Sequence, residues 1–176
     1  GDSARIDSFS PDYSMRMSLL GEKPYTVNIF ATRREIPVWA AFAGNTETTV
    51  TSYGSALQLK YKILPTHIGF DHIETDQSGF YTSESTRDTF NLSSRHQTKR
   101  SNSSLTSTYS DDSRTTEDIT TQIKSFNNTF SNIYRVTEDN KVRLSSTMTY
   151  RTQETSGLDT DNFRLNEHLN WQHLKN

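Results

Sequence analysis

Apolar residues recur at every second position along most of the chain, which is the pattern of β-strands with one apolar face. The first such run is Tyr13–Leu19, and a second, Tyr25–Ala31, follows the turn-forming segment Gly21–Pro24. Folding the two runs about that turn places their apolar residues on one face, with Met17 opposite Val27. A slip of one residue would move one whole set to the other face, so the agreement predicts a hairpin.

The same agreement recurs along the rest of the chain. The clearest pair is Phe126–Val136 with Val142–Tyr150, which predicts that Tyr134 lies opposite Leu144. Phe30 is an exception, because it interrupts the alternation of its own run. We count nine runs of about the 9–11 residues that a tilted membrane strand needs. The prediction is an all-β fold, an antiparallel up-and-down (meander) sheet, in a single domain over residues 1–176.

The predicted connections alternate in length. Those at one end of the sheet are short: Gly21–Pro24, Leu64–Thr66, Thr98–Ser103 and Thr137–Lys141. Those at the other end are longer and polar: Glu35–Thr49, Asp76–Asp88, Asp111–Asp118 and Gln153–Asn162. This asymmetry is typical of outer-membrane barrels. The first long connection holds the apolar segment Val38–Phe42, and we leave three roles open for it: folding into a lumen, gripping a partner or packing on the rim.

Aromatic residues fall near both ends of the predicted strands and flank a band of Leu, Met, Val and Ile. Near the short connections lie Tyr25, Tyr61, Phe70, Tyr134 and Trp171. Near the long connections lie Tyr13, Tyr53, Phe90, Tyr109, Tyr150 and Phe163. Two such bands match the aromatic girdles at the two interfaces of a membrane, although aromatic residues also favour strands in general.

Composition narrows the class of protein. Of 176 residues only 31% are hydrophobic, yet 11% are aromatic, and the chain contains 23 Ser and 25 Thr. A polar but aromatic-rich chain suits a sheet with one wet face better than disorder or a packed helical domain. The net charge of -2 predicts no nucleic-acid partner, and the lack of cysteine excludes disulfides and thiolate metal sites. No run reaches the roughly 18 apolar residues of a membrane-spanning helix.

Taken together, these runs resemble the outer-membrane β-barrel (porin-like) proteins of Gram-negative bacteria, in particular their Ser/Thr-rich members. The residues that carry the resemblance are Tyr13–Leu19 with Tyr25–Ala31, Phe126–Val136 with Val142–Tyr150, and the last run, Phe163–Trp171. The resemblance implies an exported transmembrane β-barrel in the cell outer membrane, with a pore, transport or scaffold role and no enzymatic activity. Its partners would be the lipid bilayer and either the rest of its own barrel or other subunits.

Two features fit this family less well. Glu167 lies in the middle of a strand on the apolar face, together with polar residues such as Asn128 and Asn132. Nine strands is also an odd number, whereas bacterial single-chain barrels have an even number. We therefore expect this chain to be an internal segment of a longer exported protein. The alternative is a soluble β-sandwich or extended-sheet surface protein, adhesin-like, which buries its apolar stripe against a second sheet.

Candidate chemistry is sparse. No two of the histidines (His67, His72, His96, His168 and His173) have the two-residue spacing that places ligands side by side on a strand, so we predict no metal site. The acidic groups Glu74–Asp76, Asp111–Asp112 and Asp159–Asp161 are weak candidates for Ca²⁺, and solvated loops explain them better. No strained Gly-x-Ser-x-Gly elbow or phosphate loop is present. We predict no catalytic residue and no cofactor.

The face opposite the apolar stripe is polar. In a barrel it would form a lumen that is wet and mixed in charge, and in a soluble sheet it would face solvent. Its predicted members are Arg16, Asn28, Lys60, Arg143, Thr147, Thr149, Arg151, Asn166 and Asn170.

Overall fold

A single antiparallel sheet accounts for all regular structure in the computed structural model, which describes residues 12–40, 44–79, 82–137 and 141–171. Each strand pairs with its neighbours in the chain, so the sheet is an up-and-down meander, as predicted. Its nine strands are β1 (Tyr13–Leu19), β2 (Tyr25–Ala40), β3 (Gly44–Leu59), β4 (Thr66–Ser78), β5 (Ser83–Gln97), β6 (Ser101–Thr116), β7 (Ile119–Arg135), β8 (Val142–Thr155) and β9 (Leu158–Trp171).

The predicted register is correct in the later hairpins and displaced in the first. Tyr134 lies opposite Leu144, as expected. Met17, however, lies opposite Ile29 rather than Val27. The reason is the turn: Leu20 has a φ of 60° and its carbonyl accepts a hydrogen bond from Lys23 N at 3.0 Å, so the turn includes Leu20 and the pairing moves by two residues. A shift of two keeps every side chain on its predicted face.

The prediction of long polar loops was wrong. At the end of the sheet where β2 joins β3, which we call the β2–β3 end, the strands continue as paired backbone through the segments predicted as loops. Two of the connections there are two-residue turns with positive φ at both positions, Glu117-Asp118 and Ser156-Gly157. Ladder hydrogen bonds join backbone groups, and Thr favours strands, so pairing continues where the apolar alternation stops.

Strands β2 to β9 are consequently longer than the predicted 9–11 residues, with 16 residues in β2 and 17 in β7, whereas β1 has 7. The apolar segment Val38–Phe42 is partly strand as well, since β2 includes Val38–Ala40, while Ala41 and Phe42 lie outside the described residues. We call the opposite end of the sheet, where β1 joins β2, the β1–β2 end.

The sheet is open and has no hydrophobic core. Among the described residues no hydrophobic side chain is buried, and both faces are accessible. The sheet does not close into a barrel, and β1 and β9 each pair on one side only within the described strands. The apolar side chains of one face therefore lie exposed, and exposed apolar patches of this kind are typical of surfaces that contact a partner or a membrane.

The structure explains why Phe30 breaks the apolar alternation. Phe30 lies on the polar face directly opposite Gly54 of β3. A Cβ atom at Gly54 would lie 2.7 Å from Cε1 of the Phe30 ring, 2.8 Å from Oδ1 of Asp71, and in conflict with the carbonyl oxygen of Phe70. The ring therefore covers the glycine, an arrangement known to stabilise glycines in strands.

We expect Gly54→Ala to destabilise the protein by about 1–3 kcal/mol, because the added methyl group meets backbone that has to move. Gly69→Ala is the matched control on the same face, since its Cβ would meet nothing closer than His67 Nε2 at 3.4 Å. The control should change stability by less than about 0.5 kcal/mol. Urea unfolding followed by far-UV circular dichroism measures both, and equal effects would contradict the close packing at Gly54.

Candidate functional site

The unbroken register assigns every strand residue to one of two faces. Residues directly opposite each other share a face. The apolar face carries the cross-strand row that begins with Met17 and Ile29, and the polar face carries the row of Arg16, Phe30 and Gly54.

Aromatic residues form a continuous line across the apolar face. Phe70, Phe90, Tyr109 and Phe126 lie in one row on four adjacent strands. The line then steps by one residue pair to Tyr150 and Phe163, which are themselves paired. The rings of Phe126 and Tyr150 meet edge to face across this step, with centroids 6.4 Å apart. The prediction that Phe70 belongs to the opposite end was wrong, because it pairs with Phe90.

A second aromatic line runs parallel to the first, nearer the β1–β2 end. Two strands carry an aromatic residue on each line, eight positions apart: Phe126 and Tyr134 of β7, and Phe163 and Trp171 of β9. The same spacing separates Tyr53 of β3 from Tyr61, which lies two residues beyond the end of that strand. Eight residues span about 26 Å along a strand. The constant spacing defines a band of the apolar face, which we call the apolar band.

Both lines are inclined to the rows in the same direction. The cross-strand row that contains Phe163 in β9 reaches Leu19 in β1, whereas the first line reaches Tyr13 in that strand. The first line has therefore shifted by six positions relative to the row. The second line shows the same shift. The row of Tyr25 in β2 reaches Leu165 in β9, and Trp171 lies six positions further along that strand. Six residues over the width of the sheet correspond to a strand tilt of roughly 30°. Membrane barrels have tilts of about 35–45°, so the lines run nearly level in that frame.

On its β2–β3 side the apolar band ends at a row of ionisable residues. The next row after Phe90 contains six ionisable residues on consecutive strands: His72, Asp88, Asp111, Lys124, Glu154 and Asp159. His72 Nδ1 lies 2.7 Å from Asp88 Oδ1, and its ring stacks on Tyr53 with centroids 4.5 Å apart. Among the described strand residues within the band, Glu167 is the only carboxylate, and no Lys or Arg lies there.

The pleat divides one of the three predicted acidic groups and leaves the other two each on the apolar face. Asp111 and Asp112 point to opposite faces, where Asp111 accepts a hydrogen bond from Gln122 at 2.8 Å and Asp112 pairs with Arg87. Glu74 and Asp76 share the apolar face and meet Glu84, with one oxygen of each within 4.8 Å. This is the one such group among the described residues. Exposed carboxylates group in this way on acidic surfaces without an ion, and we assign none.

The predicted histidine positions show no common site. His67 and His168 lie on the polar face, and His72 and His96 lie on the apolar face of separate strands. His96 Nδ1 is 2.8 Å from the carbonyl oxygen of Ile63. His173 lies outside the described residues. Within the part of the chain that the structure describes, no Ser or Thr hydroxyl is hydrogen-bonded to a histidine.

The polar face is lined by hydroxyl pairs and arginines. Thr32 Oγ1 lies 2.6 Å from Ser52 Oγ, and Ser110 Oγ lies 2.8 Å from Ser125 Oγ, each pair directly across two strands. The charge on this face is basic rather than mixed as predicted. Its strand residues include two acids, Asp71 and Asp112, and nine arginines: Arg16, Arg34, Arg87, Arg95, Arg114, Arg135, Arg143, Arg151 and Arg164.

Comparisons with protein-family models, curated proteins and solved structures found no match. Within the described residues, no helix combines the length and hydropathy that crossing a membrane requires. The two faces of the sheet, one apolar and one polar, are therefore the features that indicate a function.

At the outer part of the apolar face, the neighbouring Glu47 changes the pKa of Glu35. A hydrogen bond with the Glu47 side chain, with desolvation as a smaller cause, raises the pKa of Glu35 above its usual value. A raised pKa means that the folded state favours the protonated form. The stabilisation is present below the usual pKa and is lost as the pH rises through the raised one.

We expect Glu47→Gln to return the pKa of Glu35 towards that of a free glutamic acid, because the substitution removes both the hydrogen bond between the two carboxyl groups and the neighbouring charge. Carbon-detected NMR titration of the Glu35 carboxyl group measures this. Glu84→Gln, on the same face but away from Glu35, is the control and should leave the titration unchanged. An unchanged pKa in Glu47→Gln would show that Glu47 does not cause the shift.

Proposed function

We propose that this sheet is part of the wall of an outer-membrane β-barrel, with a pore, transport or scaffold role and no catalysis. The observation that carries the proposal is the pair of parallel aromatic lines, a constant eight residues apart, that bound the apolar band. Aromatic girdles on both sides of an outward apolar band are the signature of membrane barrels. Strand propensity alone favours aromatic residues but does not set a constant spacing.

The dimensions support the same function. Eight residues at a tilt of roughly 30° rise about 22–23 Å along the membrane normal. The apolar band of outer-membrane barrels is about 25 Å tall. Beyond the band every strand from β4 to β9 presents an ionisable residue, which suits a boundary between lipid and water. The longer polar strands at the β2–β3 end would then extend the barrel wall outside the membrane.

The unpaired edges of β1 and β9 would have to be covered for such a barrel to close. In an antiparallel meander the first and ninth strands run in the same direction, so direct pairing between them would be parallel. Exposed strand edges also invite pairing with other chains. We propose that further strands, from the rest of the barrel or from other subunits, cover these edges and complete an even-numbered barrel.

One observation favours the alternative of a soluble sandwich or surface-binding sheet. A polar row crosses the apolar band and contains His96, Ser103, Asn132, Ser146 and Glu167. Ser103 Oγ donates a hydrogen bond to Asn132 Oδ1 at 3.0 Å, so part of this row is internally satisfied. A second sheet with polar groups of its own could cover such a row, whereas lipid chains offer it no hydrogen bonds.

The protein should fractionate with the outer membrane of a Gram-negative host and migrate faster on a denaturing gel before heating than after. Contact with lipid can be tested at two adjacent positions, because the natural chain has no cysteine. An environment-sensitive fluorophore at Met148→Cys, on the apolar face, should be quenched by brominated lipids. The same fluorophore at Thr147→Cys, on the polar face, should not be.

Equal quenching at the two positions, or the absence of quenching at both, would contradict a lipid-facing apolar band. A freely soluble protein with a sheet-type spectrum in the absence of detergent would favour the sandwich. In that case Met148→Cys should be protected from labelling by the second sheet.

We expect Glu167→Leu to stabilise the membrane-inserted protein by about 1–2 kcal/mol, since an acid at the midplane costs less than the roughly 2–4 kcal/mol of Lys or Arg. Glu167 lies halfway between Phe163 and Trp171. Glu154→Leu, on the same face but outside the band, is the control and should give no such gain. Urea unfolding from lipid vesicles measures both. A loss of stability in Glu167→Leu would indicate that the carboxylate has a polar partner.

A further inference from the structure

We infer that the polar face is an anion-attracting surface, and that the lumen it would line selects small anions over cations. This inference rests on the proposed barrel and adds a class of solute to it. It starts from the separation of charge between the two faces. On the polar face, nine strand arginines stand against Asp71 and Asp112, a net charge of +7.

The apolar face has the opposite balance. Its bases in the described strands are Arg33 and Lys124. Its eleven acids are Glu35, Glu47, Glu74, Asp76, Glu84, Asp88, Asp111, Glu154, Asp159, Asp161 and Glu167, which gives a net charge of -9. The overall charge of -2 therefore conceals two strongly and oppositely charged surfaces.

The arginines of the polar face are largely left without counter-charges. Of these nine arginines, Arg87 is the one that forms a salt bridge, with Asp112 across the β5–β6 pair. Others bond to neutral oxygens: Arg95 donates to Asn102 Oδ1 at 3.1 Å, and Arg151 donates to Gln153 Oε1 at 3.2 Å. These bonds orient the guanidinium groups and leave their charge uncompensated.

Neighbouring strands bring arginines together rather than apart. Arg135 lies directly opposite Arg143. Arg164 lies opposite Thr149, two residues from Arg151, so this second pair is diagonal. Like charges in such positions are unfavourable unless an anion lies between them. Arg151 and Arg164 line a shallow depression with Thr149, Gln153, Thr160 and Asn162, all hydrogen-bonding side chains.

The residue type points to the same solutes. All nine strand bases on this face are arginine and none is lysine. The planar guanidinium group binds carboxylate and phosphate through paired hydrogen bonds, and its charge is permanent. Rings of Arg or Lys are also the usual lining of pores that favour anions. Small carboxylates, phosphates and halides are therefore the class that fits this face.

The local field can be tested with single cysteines, without any measurement of conduction. Thr149 on the polar face and Thr152 on the apolar face are both half-buried positions of β8. In the native protein, Thr149→Cys should react faster with the anionic sulfonatoethyl methanethiosulfonate than with its cationic trimethylammonium analogue, relative to free cysteine. Thr152→Cys, beside Glu154 and Asp161, should show the reverse preference. Equal ratios at the two sites would overturn the inference.

Selectivity is tested on the native protein reconstituted in a planar bilayer, from the reversal potential in a gradient of potassium chloride. We expect chloride to be preferred, and Arg151→Gln with Arg164→Gln to reduce the permeability ratio about twofold at low salt. The control is Arg33→Gln with Lys124→Gln, which removes the same charge from the other face and should have little effect. Cation preference, or an inserted barrel that does not conduct, would overturn the inference.

These outcomes are distinct from failure of the proposed function. An inserted, heat-shifted barrel without anion preference would reject the inference and leave the barrel intact. A protein that is absent from the outer membrane would reject the barrel and the selective lumen together.

Discussion

The structure depends on an unbroken backbone ladder in which each strand is paired residue for residue with the next. Because side chains in a strand alternate between faces, such a ladder turns odd and even positions into two separate surfaces. No described hydrophobic residue is buried, so the ladder, and not a packed core, positions the side chains. A slip of one residue anywhere would mix the acidic, apolar face with the basic, polar one.

Because the two faces are separate, a different environment is favourable for each. Burial of the exposed apolar band against lipid or against another apolar surface would be favourable. The row of ionisable residues that begins at His72 would limit the depth of such burial, since it follows directly after the aromatic row of Phe90. The polar face has the complementary property. Its hydroxyl pairs and arginines remain favourable in water, and Phe30 has its apolar ring against Gly54 rather than in solvent.

The alternation of apolar and polar residues predicted the strands correctly where apolar residues continue, and it failed at the polar ends of the strands. Strand type, meander order and the pairing of Tyr134 with Leu144 follow from period-two alternation. The polar ends of the strands were mistaken for loops, because Ser, Thr and charged residues on both faces leave no alternation to detect. Phe70 was assigned to the wrong end for the same reason, since its place depends on where β4 pairs with β5. The eight-residue aromatic spacing was readable in the sequence but was missed.

By itself the sequence determined that the chain is all-β, that consecutive strands pair antiparallel, and that each strand has one apolar and one polar face. These properties are local, because they depend on alternation within a strand and on turns between neighbours. Only the tertiary structure decided which residues of distant strands share a row. The inclined aromatic lines, the row of ionisable residues from His72 to Asp159 and the collection of nine arginines on one face all depend on register summed over nine strands. A single strand carries one or two members of each set, so the patterns exist only once the sheet has formed.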